Sequence, residues 1–241
     1  MNKAYLDRFI SKYSLGDSVN SVVWKVKDEV LTTEFITLDK SLLGKVTLDT
    51  FQFEEIELGI YDTKQLASLL SVLNDDISLT VVKSQDKVVS IKFEDSYASV
   101  NYMLSDLSVI PDVPKMKSVP EFELSLKIDS LFITKFISGT NALAEHETFT
   151  VLTDENTNTC KFVINFATIN TNRVTLPVTV DTFSDVGPLS FNAELFSKVL
   201  QANKECESAS IEVSNRGLAR AKFKVDNYEA VYNLVASQNI D

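Results

Sequence analysis

Four stretches with helical hydrophobic spacing recur along this 241-residue chain at nearly equal intervals, and two-residue alternation fills the space between them. Leu6, Phe9, Ile10 and Tyr13 follow i, i+3, i+4, i+7, and so do Leu66, Leu69, Leu70 and Leu73. Phe132, Ile133, Phe136 and Ile137 form a third stripe, and Leu195, Phe196, Val199 and Leu200 a fourth. Such spacing puts one apolar face on each helix. Asp62, Asp129 and Asn192 stand ahead of the last three stripes as N-caps, whose side-chain oxygens can accept a first-turn N–H. The helices start near residues 3, 63, 129 and 193, so the intervals are about 60, 66 and 64. A near-constant period of strands plus one helix is an internal repeat.

Between the helices the chain reads as antiparallel sheet. Val22, Trp24 and Val26 alternate with Val23, Lys25 and Lys27, and Val89, Ile91 and Phe93 with Ser90, Lys92 and Glu94. The same period recurs at Phe162/Ile164/Phe166, Val174/Leu176/Val178 and Ala221/Phe223/Val225. Turn signals at Lys27-Asp28, Ser84-Gln85-Asp86 and Asn215-Arg216-Gly217 separate the runs. One face of such a sheet meets a core and the other meets water. Tyr97-x-x-Val100-x-x-Met103-Leu104 matches Tyr228-x-x-Val231-x-x-Leu234-Val235, each following a Lys-Phe pair. Residues 111–120 hold three of the five prolines and read as the connector. The expectation is an α+β protein of two similar domains, 1–110 and 121–241, each with two helices packed on antiparallel sheet.

Composition removes most catalytic classes. Cys160 and Cys206 are the only cysteines, far apart and in apolar or alternating runs, so neither a disulfide framework nor a zinc cage is encoded. His146, the sole histidine, lies in a turn-like Ala144-Glu145-His146-Glu147 stretch. Glycine is scarce, and no G-x-G or P-loop pattern offers a phosphate cradle. The acidic clusters Glu54-Glu55-x-Glu57 and Asp75-Asp76 could hold Mg²⁺ but read more simply as solvated turns. No cofactor or metal is therefore expected. No apolar run reaches the roughly 18 residues of a membrane span, and the N-terminus lacks a signal-peptide core. A soluble, cytoplasmic protein is expected.

The net charge is −11, from 23 Lys+Arg and 34 Asp+Glu. The helical windows go the other way. Lys3, Arg8, Lys12, Lys64, Lys135, Lys198 and Lys204 face only Asp7 and Glu194 there, which is +5 for the helices and −16 for the rest. Counting the caps Asp62 and Asp129 reduces the helical sum to +3. These cations either decorate wet helix faces, as Lys and Arg commonly do, or form a basic wall that attracts phosphate backbone without reading bases.

Ile60-Tyr61-Asp62, Leu70-Ser71 and Asn74-Asp75-Asp76 stand in the spacing of the helix segment of a known family. Here the chain resembles the sliding clamps of T4-like bacteriophages, most strongly over residues 56–112. That resemblance implies the DNA-clamp fold, assembled as a homotrimeric ring around duplex DNA with helices lining the hole. It implies a processivity factor without enzymatic activity, loaded by a clamp-loader ATPase and tethering the replicative DNA polymerase. A role with late transcription factors, in the cytoplasm of a bacterial host, is implied as well. The seven helical cations would then face DNA. Leu107, Val109, Ile110, Pro111 and Val113, with Val235 and Ala236, are candidates for a partner-binding pocket, or else they anchor the connector. The strands around Tyr97–Leu104 and Arg173–Val180 are candidates for the subunit seam. The competing expectation is a non-enzymatic structural protein assembled by sheet-edge pairing without DNA.

Overall fold

The computed structural model describes residues 1–237 apart from 86, 117 and 170. Asp86 of the expected turn, Lys117 of the expected connector and residues 238–241 of the expected second domain lie outside the described residues. The chain divides into two compact units, Met1–Phe35 with Lys45–Val113, and Ile36–Gly44 with Pro114–Asp241.

The first unit opens with α1 (Ala4–Ser14), then β1 (Val22–Lys27), β2 (Val30–Ile36), β3 (Leu42–Leu48) and β4 (Ile56–Ile60). After α2 (Thr63–Leu70) come β5 (Ser78–Ser84), β6 (Lys87–Glu94) and β7 (Ser99–Met103). β1 pairs antiparallel with both β2 and β4, while β5, β6 and β7 form a separate antiparallel sheet in that order. The stripe residues Leu6, Phe9, Ile10 and Tyr13 are all buried, as are the alternating Val22, Trp24 and Val26. Phe9 meets Trp24 edge-on at 5.7 Å, and the Trp24 indole N–H donates to the Tyr13 hydroxyl at 3.2 Å. The Thr63 hydroxyl, 3.4 Å from the same oxygen, donates to Asn20 O at 2.7 Å. Burial also pushes the Tyr13 phenol well above its ordinary pKa, so it stays a neutral partner.

The second unit comprises β8 (Leu124–Asp129), α3 (Ser130–Ala142), β9 (Thr148–Asp154), β10 (Thr159–Ile164), β11 (Val174–Thr182), β12 (Leu189–Asn192), α4 (Ala193–Ala202), β13 (Ser208–Ser214), β14 (Leu218–Val225) and β15 (Tyr228–Val235). Its strands run in the order β12-β9-β10-β11-β8-β13-β14-β15, and α3 packs against α4. Phe132, Phe136, Phe149, Phe162, Phe191 and Phe196 interlock beneath the helices, with ring centroids 5.0–5.6 Å apart along the chain of contacts. Offset and edge-on rings of this kind add specificity to plain apolar burial.

All three expected caps form. Asp62 accepts Gln65 N at 2.8 Å, Asp129 accepts Phe132 N at 2.8 Å and Asn192 accepts Leu195 N at 2.7 Å. Three readings need correction. β10 stops at Ile164 because Asn165 turns into the left-handed region (φ 61), so Phe166 leaves the alternation. α2 ends at Leu70, although Leu73 remains buried in the turn that follows. Val174, Leu176 and Val178 do alternate in β11, but each is only half-buried.

Gly59 in β4 marks a close backbone approach. It bridges to Ser105, whose N–H donates to Gly59 O at 3.0 Å, and a Cβ at Gly59 would sit 2.4 Å from Ser105 O. Backbone cannot rotate aside as a side chain can. Gly59→Ala is therefore expected to lower stability by about 1–3 kcal/mol, read as a reduced urea midpoint with an unchanged slope.

Candidate nucleic-acid interface

The stripes turn α1 and α2 onto the first unit's core, and α3 and α4 onto the second's, leaving one polar face on each helix. On α2 that face carries Lys64, Gln65, Ser68 and Ser71, and on α3 it carries Thr134, Lys135, Ser138 and Asn141. The hydroxyls point their protons inward. Ser68 donates to Lys64 O, Thr134 to Ser130 O and Ser138 to Thr134 O, each at 2.9 Å. Such back-bonding leaves oxygen lone pairs facing outward, so the helix faces offer phosphate few donors besides the cations.

The seven helical cations have different fates. Lys135 and Lys204 are exposed, and among the described residues neither has a carboxylate within 4.0 Å. Arg8 is half-buried. Lys64 is exposed but lies 3.1 Å from Asp17, and Lys198 lies 2.7 Å from Glu194. Such exposed pairs are weak and can exchange partners, but each brings a negative charge to the same surface. Lys12 contradicts the DNA-facing expectation, since it has no exposed surface. It follows Phe9 by three residues on the flank of the stripe, and the fold closes over that flank.

Lys3 has a structural task of its own. Its ammonium donates to Leu70 O, at the last residue of α2, at 3.3 Å and to Leu73 O, in the turn that follows, at 2.8 Å, and its side chain is only 14% exposed. A cation there meets the negative end of the helix dipole and satisfies orphan carbonyls. Lys3→Met is expected to destabilise the protein by about 1–2 kcal/mol, measured by thermal unfolding, whereas Lys135→Met should leave the midpoint unchanged.

The turn after α2 carries Asn74-Asp75-Asp76 and is tied to the β6–β7 hairpin by Asp95. That carboxylate accepts N–H groups from Asn74 (2.6 Å), Tyr97 (2.7 Å) and Ala98 (2.6 Å), which lower its pKa to about 2. Burial opposes the shift only weakly. The clasp should be intact above the ordinary Asp value of about 3.9 and should be lost as pH falls toward 2. A carboxyl NMR titration should find Asp95 still ionised at pH 3. Asp95→Asn should remove the acid-linked part of the loss of hairpin order.

The candidate pocket residues do not form one cluster within either unit. Leu107 and Val109 are exposed on a 3-10 turn (Leu107–Val109), Pro111 is exposed and Val113 half-buried, all in the first unit. Ile110 is buried at 6% exposure and packs inward, so it cannot greet a partner. Val235 is exposed and Ala236 half-buried in the second unit. The two cysteines are buried, and burial pushes the Cys160 thiol up to about 12. His146 sits half-buried in the turn after α3. The acidic clusters are used locally, Glu57 pairing with Lys25, Glu54 with Lys83 and Glu55 accepting Asp28 N.

No protein-family model matches the chain, and no curated protein matches it. Solved structures do match. Proliferating cellular nuclear antigen from Entamoeba histolytica aligns with a TM-score of 0.73 and 16% identity, over 98% of this chain and 96% of that one. The fold is the DNA-clamp fold. At this identity the likeness concerns architecture, and it agrees with the α+β layout expected from the periodicity and with the clamp fold that the resemblance implied. Ile60-Tyr61-Asp62 leads into α2, and Asn74-Asp75-Asp76 lies in the turn beyond its end. Ile60 is buried, Asp62 caps the helix and Asn74 binds Asp95. No described helix is long and apolar enough to cross a membrane.

Proposed function

We propose that the chain is a non-enzymatic sliding clamp, three copies of which close head to tail around duplex DNA. The observation that carries this reading is the match to a clamp fold over nearly the whole length, with a helix pair repeated in each unit. Lys135 and Lys204, then Arg8, Lys64 and Lys198, would meet phosphate, while Lys3 and Lys12 serve the fold. Weak, screened contacts suit a topological tether, because encirclement rather than affinity keeps the ring on DNA.

Sheet edges support closure. Among the described residues β7 has a neighbour on one side only, and β11 pairs with β10 through Val174–Val178 before passing to β8 at Thr179. Tyr97 and Met103, 89% and 67% exposed, lie beside and within β7. An unpaired edge with exposed apolar residues favours strand addition, and a heterologous contact closes into a ring when its rotation fits. Residues 1–110 and 121–241 would be the two clamp domains and 111–120 the connector.

In this reading a clamp-loader ATPase opens the ring, and the replicative DNA polymerase binds through an apolar motif at Leu107, Val109, Pro111 and Val113, aided by Val235 and Ala236. The signature residues around α2 point to a T4-like phage clamp, acting in the cytoplasm of a bacterial host and also serving late transcription factors. Assembly by edge pairing without DNA is the second reading, favoured by the same open edges.

Mass measurement at graded concentration should give a trimer. Protein loaded on nicked circular DNA should remain until the circle is linearised, and retention that ignores linearisation would defeat encirclement. Lys135→Glu with Lys204→Glu should impair loading while trimers persist. Leu107→Asp with Val109→Asp should weaken polymerase binding about tenfold and leave the ring intact.

A further inference from the structure

We propose that the face of β8, β13 and β14 turned away from the second unit's core is a docking groove for an extended, carboxylate-bearing segment of a partner protein. Antiparallel register lines up Lys127, Ser210 and Lys222 as directly opposed residues on three neighbouring strands, and Val231 of β15 continues the row. Strands lie about 4.8 Å apart, so the two lysines flank the small serine at a Cα separation of about 10 Å. Ser208 repeats the small floor one pleat away, with Lys224 and Glu229 opposed at the rim. The resulting groove has a volume of about 350 Å³.

Charge is unusual here. The protein carries −11, yet this face gathers Lys127, Arg220, Lys222 and Lys224 against Asp181, Glu212 and Glu229. Arg220 is held in place, stacked 4.7 Å over the Phe122 ring and donating to Asn233 Oδ1 at 3.0 Å. The three lysines are more open, with side chains 70%, 42% and 77% exposed, and each has one carboxylate at 2.9–3.3 Å. The pairs of Lys127 with Asp181 and of Lys224 with Glu229 lie open to solvent and hold weakly, so an incoming carboxylate can replace Asp181 on Lys127. Glu212, only 24% exposed and also 3.9 Å from Arg220, keeps its place, and the carboxylate would share Lys222 with it.

A polynucleotide fits the face poorly, because its evenly spaced phosphates would also meet Asp181, Glu212 and Glu229. An extended peptide repeats every second side chain on one face. It can set one or two carboxylates between Lys127 and Lys222 and lay an apolar neighbour on Val231. The floor of Ser208 and Ser210 leaves room for its backbone. This surface lies on the side of the second unit's sheet away from α3 and α4, and it shares no lining residue with the Leu107–Val113 segment.

The test titrates the full chain with the fluorescein-labelled nonapeptide Ser-Glu-Ser-Val-Ser-Glu-Ser-Val-Ser, which sets Glu and Val in turn on one face of an extended chain, followed by anisotropy. Binding is expected to fall about tenfold in Lys127→Glu/Lys222→Glu and in Ser210→Trp, which blocks the floor without changing charge. Lys135→Glu should bind as the unaltered protein does. The same peptide with Gln for Glu should bind about tenfold more weakly. Equal binding of the Gln peptide, or unchanged binding by both groove variants, overturns the proposal. So does displacement by inorganic phosphate or a short duplex as effective as displacement by unlabelled peptide. A groove-dependent increase in mass without peptide, meaning that copies of the chain occupy the face, would overturn it as well.

Discussion

Strands that run straight into helices through a single capping residue organise this molecule. β8 ends on Asp129 and β12 on Asn192, and each of those residues caps the helix that starts at the next position. β4 does the same through Tyr61 and Asp62. With no loop to absorb a change of direction, the cap sets the helix against the strand it follows. The inward residues Leu124, Leu126 and Ile128 then lead directly to Phe132, Ile133 and Phe136 on the same core. Once the stripe is committed, the opposite face of each helix is committed to solvent, and with it whatever the helix can offer a ligand.

That outward face carries less free charge than a count of helical lysines suggests. One lysine closes the end of α2, one is buried, and two stand beside carboxylates. The serines and threonines turn their protons back to the helix carbonyls. A surface of this kind holds a polyanion loosely and without register, as the sliding role proposed above would require. Strong, well-directed donors would instead create deep minima, and each step along the duplex would cost the energy of leaving one.

The opposite face of the second unit shows how sheet geometry concentrates charge that composition hides. Ala219, Ala221 and Phe223 point inward from β14, so the residues between them, Arg220, Lys222 and Lys224, must point outward together. The alternation of Ala221, Phe223 and Val225 already carried that information, though an overall charge of −11 drew attention elsewhere. Register added the rest by setting Ser210 between two lysines from strands far apart in the chain.

Local pattern alone determined the helix positions, three N-caps, most strand alternation and the internal repeat, because periodicity and capping depend on residues within one or two turns of each other. Packing between distant segments decided the rest. Lys3 reaches carbonyls 67 and 70 positions away, and Lys64 meets Asp17. Lys12 is buried although its charge reads as accessible, and Ile110 is buried although its neighbours Val109 and Pro111 are exposed. The half-burial of β11 likewise follows from its passing between two neighbours along its length, β10 and then β8. A side chain's charge and period are written in the chain, whereas its partner depends on which remote surface arrives beside it, and only tertiary structure supplies that.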